Sequence, residues 1–134
     1  MPIRVLLADD SEVVRKAISR LLQSDPEIGL VAEAISYGET EQLTRRLRPQ
    51  VVVMDIHMPI IDGFQAAHEI MATYPVPVVI MSGMSDARTA SRAVDLDIIS
   101  YLVKPFSPAQ LKIAVHLAVA QFRGLVSNEI VSAA

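Results

Sequence analysis

Acidic, hydroxyl and ammonium side chains recur in this chain directly after short apolar runs. Asp9 and Asp10 follow the first run and Asp55 follows another, while Ser82 and Lys104 follow two more. If the runs are parallel strands of one sheet, their carboxyl ends share an edge, and these side chains meet in one pocket. Carboxylate oxygens suit a hard divalent cation such as Mg²⁺, and an ammonium group suits a phosphoryl anion. The pattern therefore predicts a pocket for metal and phosphate.

The residue types also divide the chemistry among the members of this pocket. An ionised aspartate is a nucleophile toward phosphorus and forms an acyl phosphate. Asp55 is the best candidate, because its strand is expected to be flanked by strands that carry the other groups. Lys104 can hold an anion against the metal. Ser82 is followed by Gly83, so a hydroxyl and an approachable backbone N–H can face the same anion.

The segments between these positions alternate between two periodicities. Five apolar runs rich in Val and Ile indicate strands buried on both faces of a parallel sheet; they cover residues 3–8, 28–32, 51–54, 76–81 and 98–103. Five segments have helical spacing; they cover residues 11–22, 38–47, 62–73, 86–94 and 107 to about 122. Five β-α units predict an α/β fold with helices on both faces of the sheet.

Composition narrows the function classes. The chain has 134 residues, 51% of them hydrophobic and 20% charged, which fits one compact domain. A formal net charge of −3 argues against binding to nucleic acid or an anionic membrane. The chain has no cysteine, no recognisable secretory signal and no apolar run near the ~18 residues that span a bilayer, so a cytoplasmic location is expected.

Residues 1–123 are expected to form the domain, with 124–134 as a tail or an extension of the last helix.

The motifs together resemble the receiver domain of two-component response regulators, over about residues 3–122 in order and spacing. The matching motifs are Asp9-Asp10-Ser11, Asp55-Ile56-His57-Met58-Pro59, Ser82-Gly83 and Tyr101-Leu102-Val103-Lys104-Pro105-Phe106. The first half is most similar to receivers of the chemotaxis methylesterase type. The resemblance does not establish an esterase domain.

This resemblance implies a flavodoxin-like, five-stranded parallel sheet of order 2-1-3-4-5 with five helices. It further implies that a histidine kinase or a phosphotransfer protein phosphorylates Asp55. Mg²⁺ would be held by Asp10, Asp55 and the backbone carbonyl of His57, with Asp9 acting largely through water. The only chemistry expected of the domain itself is its own phosphorylation and dephosphorylation, so it is not expected to be an enzyme.

The resemblance also assigns the groups that read the new charge. Lys104 and Ser82 would hold the phosphoryl group, and the ring of Tyr101 would follow Ser82 inward as a switch. The surface formed by the predicted fourth helix, fifth strand and fifth helix would then dimerise or bind a downstream protein. The fifth predicted helix supports this, because its apolar residues surround more of the circumference than one sheet can cover.

The residues alone leave other hypotheses for the function open. A Mg²⁺-dependent phosphohydrolase with an aspartyl nucleophile is one, although Asp9-Asp10-Ser11 lacks the usual spacing of two aspartates. A flavin-binding domain is another, but acidic residues after the first strand repel a phosphate. The chain could also be the receiver part of a larger regulator with a separate output domain. Asp62 is expected to be a helix cap rather than part of the pocket.

Overall fold

The computed structural model describes residues 2–83, 91–92 and 100–133, with side chains as far as residue 124. Its strands are β1 (Ile3–Ala8), β2 (Ile28–Ala34), β3 (Val51–Asp55), β4 (Val78–Ser82) and β5 (Ser100–Val103). Within the described ranges, the helices are α1 (Glu12–Gln23), α2 (Tyr37–Leu47), α3 (Gly63–Thr73) and α4 (Pro108–Ala133). None of these helices is long and apolar enough to cross a membrane.

All five strands belong to one parallel sheet of order β2-β1-β3-β4-β5. The predicted α/β sheet and its strand order are therefore confirmed. Central strand β3 is buried along its whole length, as continuous apolar strands of parallel sheets are. This order brings the carboxyl ends of β1, β3, β4 and β5 to one edge.

The core has two layers, one on each face of the sheet. Val52 and Met54 of β3 face the layer under α2 and α3, where Phe64 and Ile70 are buried. Val51 and Val53 alternate to the opposite layer, against residues of α1 and α4. The helices thus hold the sheet from both sides and fix the positions of the strand ends.

Capping side chains start the helices where the sequence predicts them. Ser11 accepts a hydrogen bond from the Val14 N–H, and Asp62 accepts one from the Phe64 N–H at 2.9 Å. Ser107 accepts one from the Gln110 N–H at 3.1 Å, and the Gln110 side chain accepts one from the Ser107 N–H. Such reciprocal bonds form a capping box. The cap predicted for Asp62 is confirmed.

Several boundaries differ from the prediction, and parts of two predicted elements, residues 98–99 of the fifth strand among them, lie outside the described residues. The second strand runs to Ala34, two residues further than predicted. The fourth strand begins at Val78 rather than at Val76, because Pro75 and Pro77 on either side of Val76 have no N–H to donate to a ladder. The helix predicted over 86–94 falls mostly outside the described ranges, although Ser91 and Arg92 are helical. The predicted fifth helix corresponds to α4 and runs to Ala133.

Candidate functional site

The residues singled out in the sequence lie at the carboxyl edge of the sheet. Asp9 follows β1, Asp55 ends β3, and Ser82 ends β4. Lys104 follows β5, and its N–H donates to the Ser82 carbonyl at 2.7 Å. The structure therefore brings together residues up to 95 positions apart in the chain.

Lys104 is the electrostatic centre of the site. Its ammonium nitrogen lies 3.1 Å from Asp9 Oδ2 and 3.1 Å from Asp55 Oδ2. The other carboxylate oxygens accept backbone hydrogen bonds: Asp9 Oδ1 from the Ser11 N–H at 2.9 Å, and Asp55 Oδ1 from the His57 N–H at 2.8 Å. Each carboxylate is thus held in one orientation by a turn on one side and by the ammonium group on the other.

A third carboxylate completes the cluster. One oxygen each of Asp9, Asp10 and Asp55 lies within 4.8 Å of the others. Asp9 and Asp55 are buried, whereas Asp10 is exposed. Three carboxylates facing one ammonium group leave an excess of negative charge at the edge of a low-dielectric core. This donor set fits a hard divalent cation that keeps part of its water shell.

The pKa shifts of Asp9 and Lys104 reflect this excess of negative charge and the burial of the site. Burial raises the pKa of Asp9, and the charge of Asp55 raises it further, despite the Ser11 N–H and the Lys104 ammonium group. Burial by itself would lower the pKa of Lys104, but its hydrogen bond to Asp9 and the charge of Asp55 outweigh that effect and raise it. The ammonium group is therefore firmly charged, while the carboxylate of Asp9 lacks sufficient compensation.

The remaining predicted residues border this cluster. Ser82 is fully buried, and its hydroxyl oxygen lies 3.1 Å from Nε2 of His57. The side chain of His57 is otherwise exposed, and its contact with Ser82 is not evident from the sequence. Tyr101 is partly buried and packs against the core layer under α2 and α3.

Tyr37 is a participant that sequence reasoning missed. Its buried hydroxyl donates to the Asp55 carbonyl at 3.0 Å and accepts from the Met58 N–H at 3.1 Å. It therefore ties the first turn of α2 to both sides of the loop after β3. Nothing in the sequence marks this role, because both partners are backbone groups, about 20 residues away.

Family comparison agrees with this geometry. Residues 5–116 match the family described as the response regulator receiver domain. The chain belongs to this family. The receiver fold predicted from the motifs is confirmed, and the chain is a receiver domain of the two-component type.

Individual relatives support the same assignment. A protein-glutamate methylesterase/protein-glutamine glutaminase of Myxococcus xanthus is 38% identical over 109 residues, which cover 80% of this chain and 31% of that protein. The transcriptional regulatory protein PdtaR of Mycobacterium tuberculosis is 36% identical over 129 residues, which cover 96% of this chain and 62% of PdtaR. The predicted likeness to methylesterase-type receivers is thus confirmed.

Solved structures agree on the fold. The response regulator domain of Thermotoga maritima CheB superposes with a TM-score of 0.81 at 27% identity, covering 90% of this chain and 98% of that domain. This receiver spans only 27% to 32% of the length of the methylesterases it matches. Their esterase activity therefore belongs to proteins between three and four times longer than the matched segment.

Proposed function

We propose that this receiver is a phosphoacceptor whose phosphorylated residue is Asp55. The observation that carries the proposal is the position of Lys104, which lies 3.1 Å from one oxygen of Asp55 and 3.1 Å from Asp9. An ammonium group there can hold the phosphoryl oxygens while an Asp55 oxygen attacks. The backbone N–H of His57 fixes the other oxygen of Asp55.

The phosphodonor proposed is a phosphohistidine on a kinase or phosphotransfer protein. An Asp55 oxygen forms the new P–O bond, the P–N bond breaks, and the departing imidazole takes up a proton. Lys104 stays in place and transfers its hydrogen bonding from the free carboxylate to the phosphoryl oxygens. Ser82 supplies a hydroxyl at the same edge and Tyr101 a ring on the adjacent strand, and these are the proposed switch residues.

Mg²⁺ is the proposed cofactor, held by Asp9, Asp10 and Asp55 together with the backbone carbonyl of His57. The fit rests on the three clustered carboxylates and on the raised pKa of Asp9, which shows that its negative charge lacks compensation. When bound, Mg²⁺ supplies positive charge that brings the anionic phosphodonor close to an anionic nucleophile.

The output proposed is contact with another protein through β5 and α4. Ile113 and Leu117 of α4 are exposed by 56% and 50%, one helical turn apart, while Leu111, Ala114 and Val115 are buried. The predicted excess of apolar surface on this helix is therefore present. A cytoplasmic location, where kinases of this kind present their phosphohistidine, completes the proposal.

Phosphorylation from acetyl phosphate tests the assignment of Asp55. With Mg²⁺, the chain should gain one phosphoryl group by intact-protein mass spectrometry, and the group should be labile to base. Asp55→Asn should remove the gain. Asp62→Asn is the matched control, because this exposed aspartate caps α3 and pairs with Arg92 outside the carboxylate cluster, and asparagine keeps the cap. Equal incorporation in wild type and Asp55→Asn would overturn the proposal.

A further inference from the structure

A second group of metal-ligating side chains lies away from the phosphorylation site. Asp25 and Glu27 belong to the connection between α1 and β2, and His116 lies on α4. One oxygen of each acid and one imidazole nitrogen of His116 all lie within 4.8 Å of one another. Because this connection precedes β2, it lies at the opposite edge of the sheet from Asp55.

Asp25 brings to this group a buried oxygen that accepts no hydrogen bond. Its side chain is only 7% exposed. Oδ1 accepts a hydrogen bond from the Glu27 N–H at 2.9 Å, whereas buried Oδ2 has no hydrogen-bond partner. The Glu27 N–H and the nearby Lys112 ammonium group hold the pKa of Asp25 below its usual value. A buried anionic oxygen without a donor is costly unless a cation lies against it.

His116 is in the same situation. Its Nε2 atom is buried and has no hydrogen-bond partner, although Glu27 Oε2 lies 3.2 Å away and Asp25 Oδ2 lies 3.6 Å away. A metal ion with bonds of roughly 2.1 Å and tetrahedral angles holds neighbouring ligand atoms about 3.4 Å apart. The two distances from Nε2 are therefore close to the edge of a coordination shell, and the two carboxylates have only to keep their oxygens within the 4.8 Å at which they already lie.

We propose that Asp25, Glu27 and His116 bind a divalent transition metal ion of the Zn²⁺ class. Two carboxylates and one imidazole are a three-ligand set that leaves one position for water. An imidazole ligand favours Zn²⁺ over Mg²⁺, which prefers oxygen ligands in an octahedral arrangement.

The position of Lys112 gives the proposed metal site a second, opposite test. Its ammonium nitrogen lies 3.9 Å from Asp25 Oδ2, close enough to compete with a metal ion for this oxygen. The side chain is half exposed and can turn to solvent when the ion binds. Removal of this charge should therefore strengthen metal binding, whereas removal of a ligand should weaken it.

Calorimetric titration of the full chain with zinc sulfate tests the site. Millimolar Mg²⁺ is present throughout to occupy the carboxylates around Asp55. One Zn²⁺ per chain is expected, and His116→Gln and Asp25→Asn should each weaken binding by at least about tenfold. His68→Gln, which removes an imidazole from α3, should leave binding unchanged.

Two further measurements separate ligation from a loss of folding. Lys112→Gln, at an exposed position, should strengthen Zn²⁺ binding several-fold. The imidazole proton resonances of His116 should shift on addition of Zn²⁺, while those of His68 stay in place. Absence of one-to-one binding, or equal affinity in wild type and His116→Gln, would overturn the proposal and leave these residues as an ion-pair triad. Unchanged or weaker binding by Lys112→Gln would contradict it as well.

Discussion

Asp9 shows how a functional residue can weaken the fold that carries it. It is fully buried, its pKa is raised mainly by burial, and it shares one ammonium group with Asp55. A raised pKa means that the folded state disfavours the ionised form more than the unfolded chain does. The carboxylate is therefore suited to cation binding rather than to stability.

Replacement of Asp9 by Asn should stabilise the protein without metal. Asparagine can still accept the Ser11 N–H, and it removes a buried negative charge. We expect a gain of about 1 kcal/mol in the free energy of unfolding at pH 7 in EDTA, measured by urea titration. The gain should vanish at acidic pH, where Asp9 of the wild type is protonated in both states.

Addition of Mg²⁺ should reverse the order of stability of wild type and Asp9→Asn, since a ligand that binds the folded state stabilises it by mass action. Wild type should gain more stability than Asp9→Asn. Glu12→Gln is the control: Lys16 lowers the pKa of this exposed residue, so its neutralisation should give no gain. A less stable Asp9→Asn protein in EDTA would contradict the prediction.

At the scale of the elements, the loop after β3 is held by the first turn of α2. The hydroxyl of Tyr37 bonds to the Asp55 carbonyl and to the Met58 N–H. Burial first, and then the charges of Asp55, Asp62 and Asp10, raise the pKa of Tyr37 to about 12. The hydroxyl is therefore protonated throughout the physiological range and can donate its hydrogen bond.

Tyr37→Phe should reveal this bond through the pH dependence of stability. The unfolded chain loses the tyrosine proton near pH 10, and the folded protein loses it near 12. Stability of the wild type should thus fall as pH rises through this window, by on the order of 1 kcal/mol from this group at pH 11.

Tyr37→Phe should lack the part of this fall in stability that comes from the titration of the Tyr37 hydroxyl. At pH 8 it should be less stable by about 1 to 3 kcal/mol, because two buried backbone groups lose their partner. Urea titrations of both proteins at pH 8 and pH 11 provide the comparison. Parallel declines would show that the hydroxyl of Tyr37 does not titrate as described.

Gly63, at the start of α3, lies against the same loop after β3 and against the Tyr37 hydroxyl. A Cβ atom at this position would lie 2.4 Å from the Ile56 carbonyl oxygen and 2.4 Å from the Tyr37 hydroxyl oxygen. Gly63→Ala should therefore displace the loop, lower the free energy of unfolding by more than about 2 kcal/mol and slow phosphorylation of Asp55.

Gly38→Ala is the matched control, because an added Cβ there meets nothing within 4 Å and lies in helix α2. It should be neutral or stabilising by up to about 1 kcal/mol. Thermal unfolding and the rate of phosphorylation by acetyl phosphate measure both variants. Similar losses in the two alanine variants would show that packing around Gly63 is not the cause.

Whether the sequence predicts a contact depends on whether a local pattern marks both partners or whether only the packing of distant segments brings them together. Asp9, Asp55 and Lys104 were predictable because each follows an apolar run and parallel strands align their ends. The partners of Tyr37 were not, since no side-chain pattern marks a bond to a distant backbone carbonyl. The proximity of His116 to Asp25 is not predictable for a related reason. The two residues are about 90 positions apart, and they meet only because α4 packs beside the connection between α1 and β2.

At the scale of the whole molecule, α4 joins the two edges of the sheet. It packs against β5, β4, β3 and α1, and it carries both His116 and the exposed pair Ile113 and Leu117. Its 26 residues correspond to about 39 Å, roughly twice the length of the strands it covers. This placement is the basis of the proposed output, in which phosphorylation of Asp55 next to Lys104 changes the apolar surface on the outer side of the helix.

Self-association through this surface should depend on Asp55 and on the apolar pair. With Mg²⁺ and beryllofluoride, a mimic of the phosphoryl group, the wild type should increase in mass toward a dimer by light scattering at high concentration. Asp55→Asn and the double variant Ile113→Gln/Leu117→Gln should remain monomeric, the latter because the apolar contact is removed. Val13→Gln, which alters an 81% exposed residue on α1, should still dimerise. A monomeric wild type under these conditions would show that α4 does not pair with a second copy, and a dimeric double variant would place the interface elsewhere.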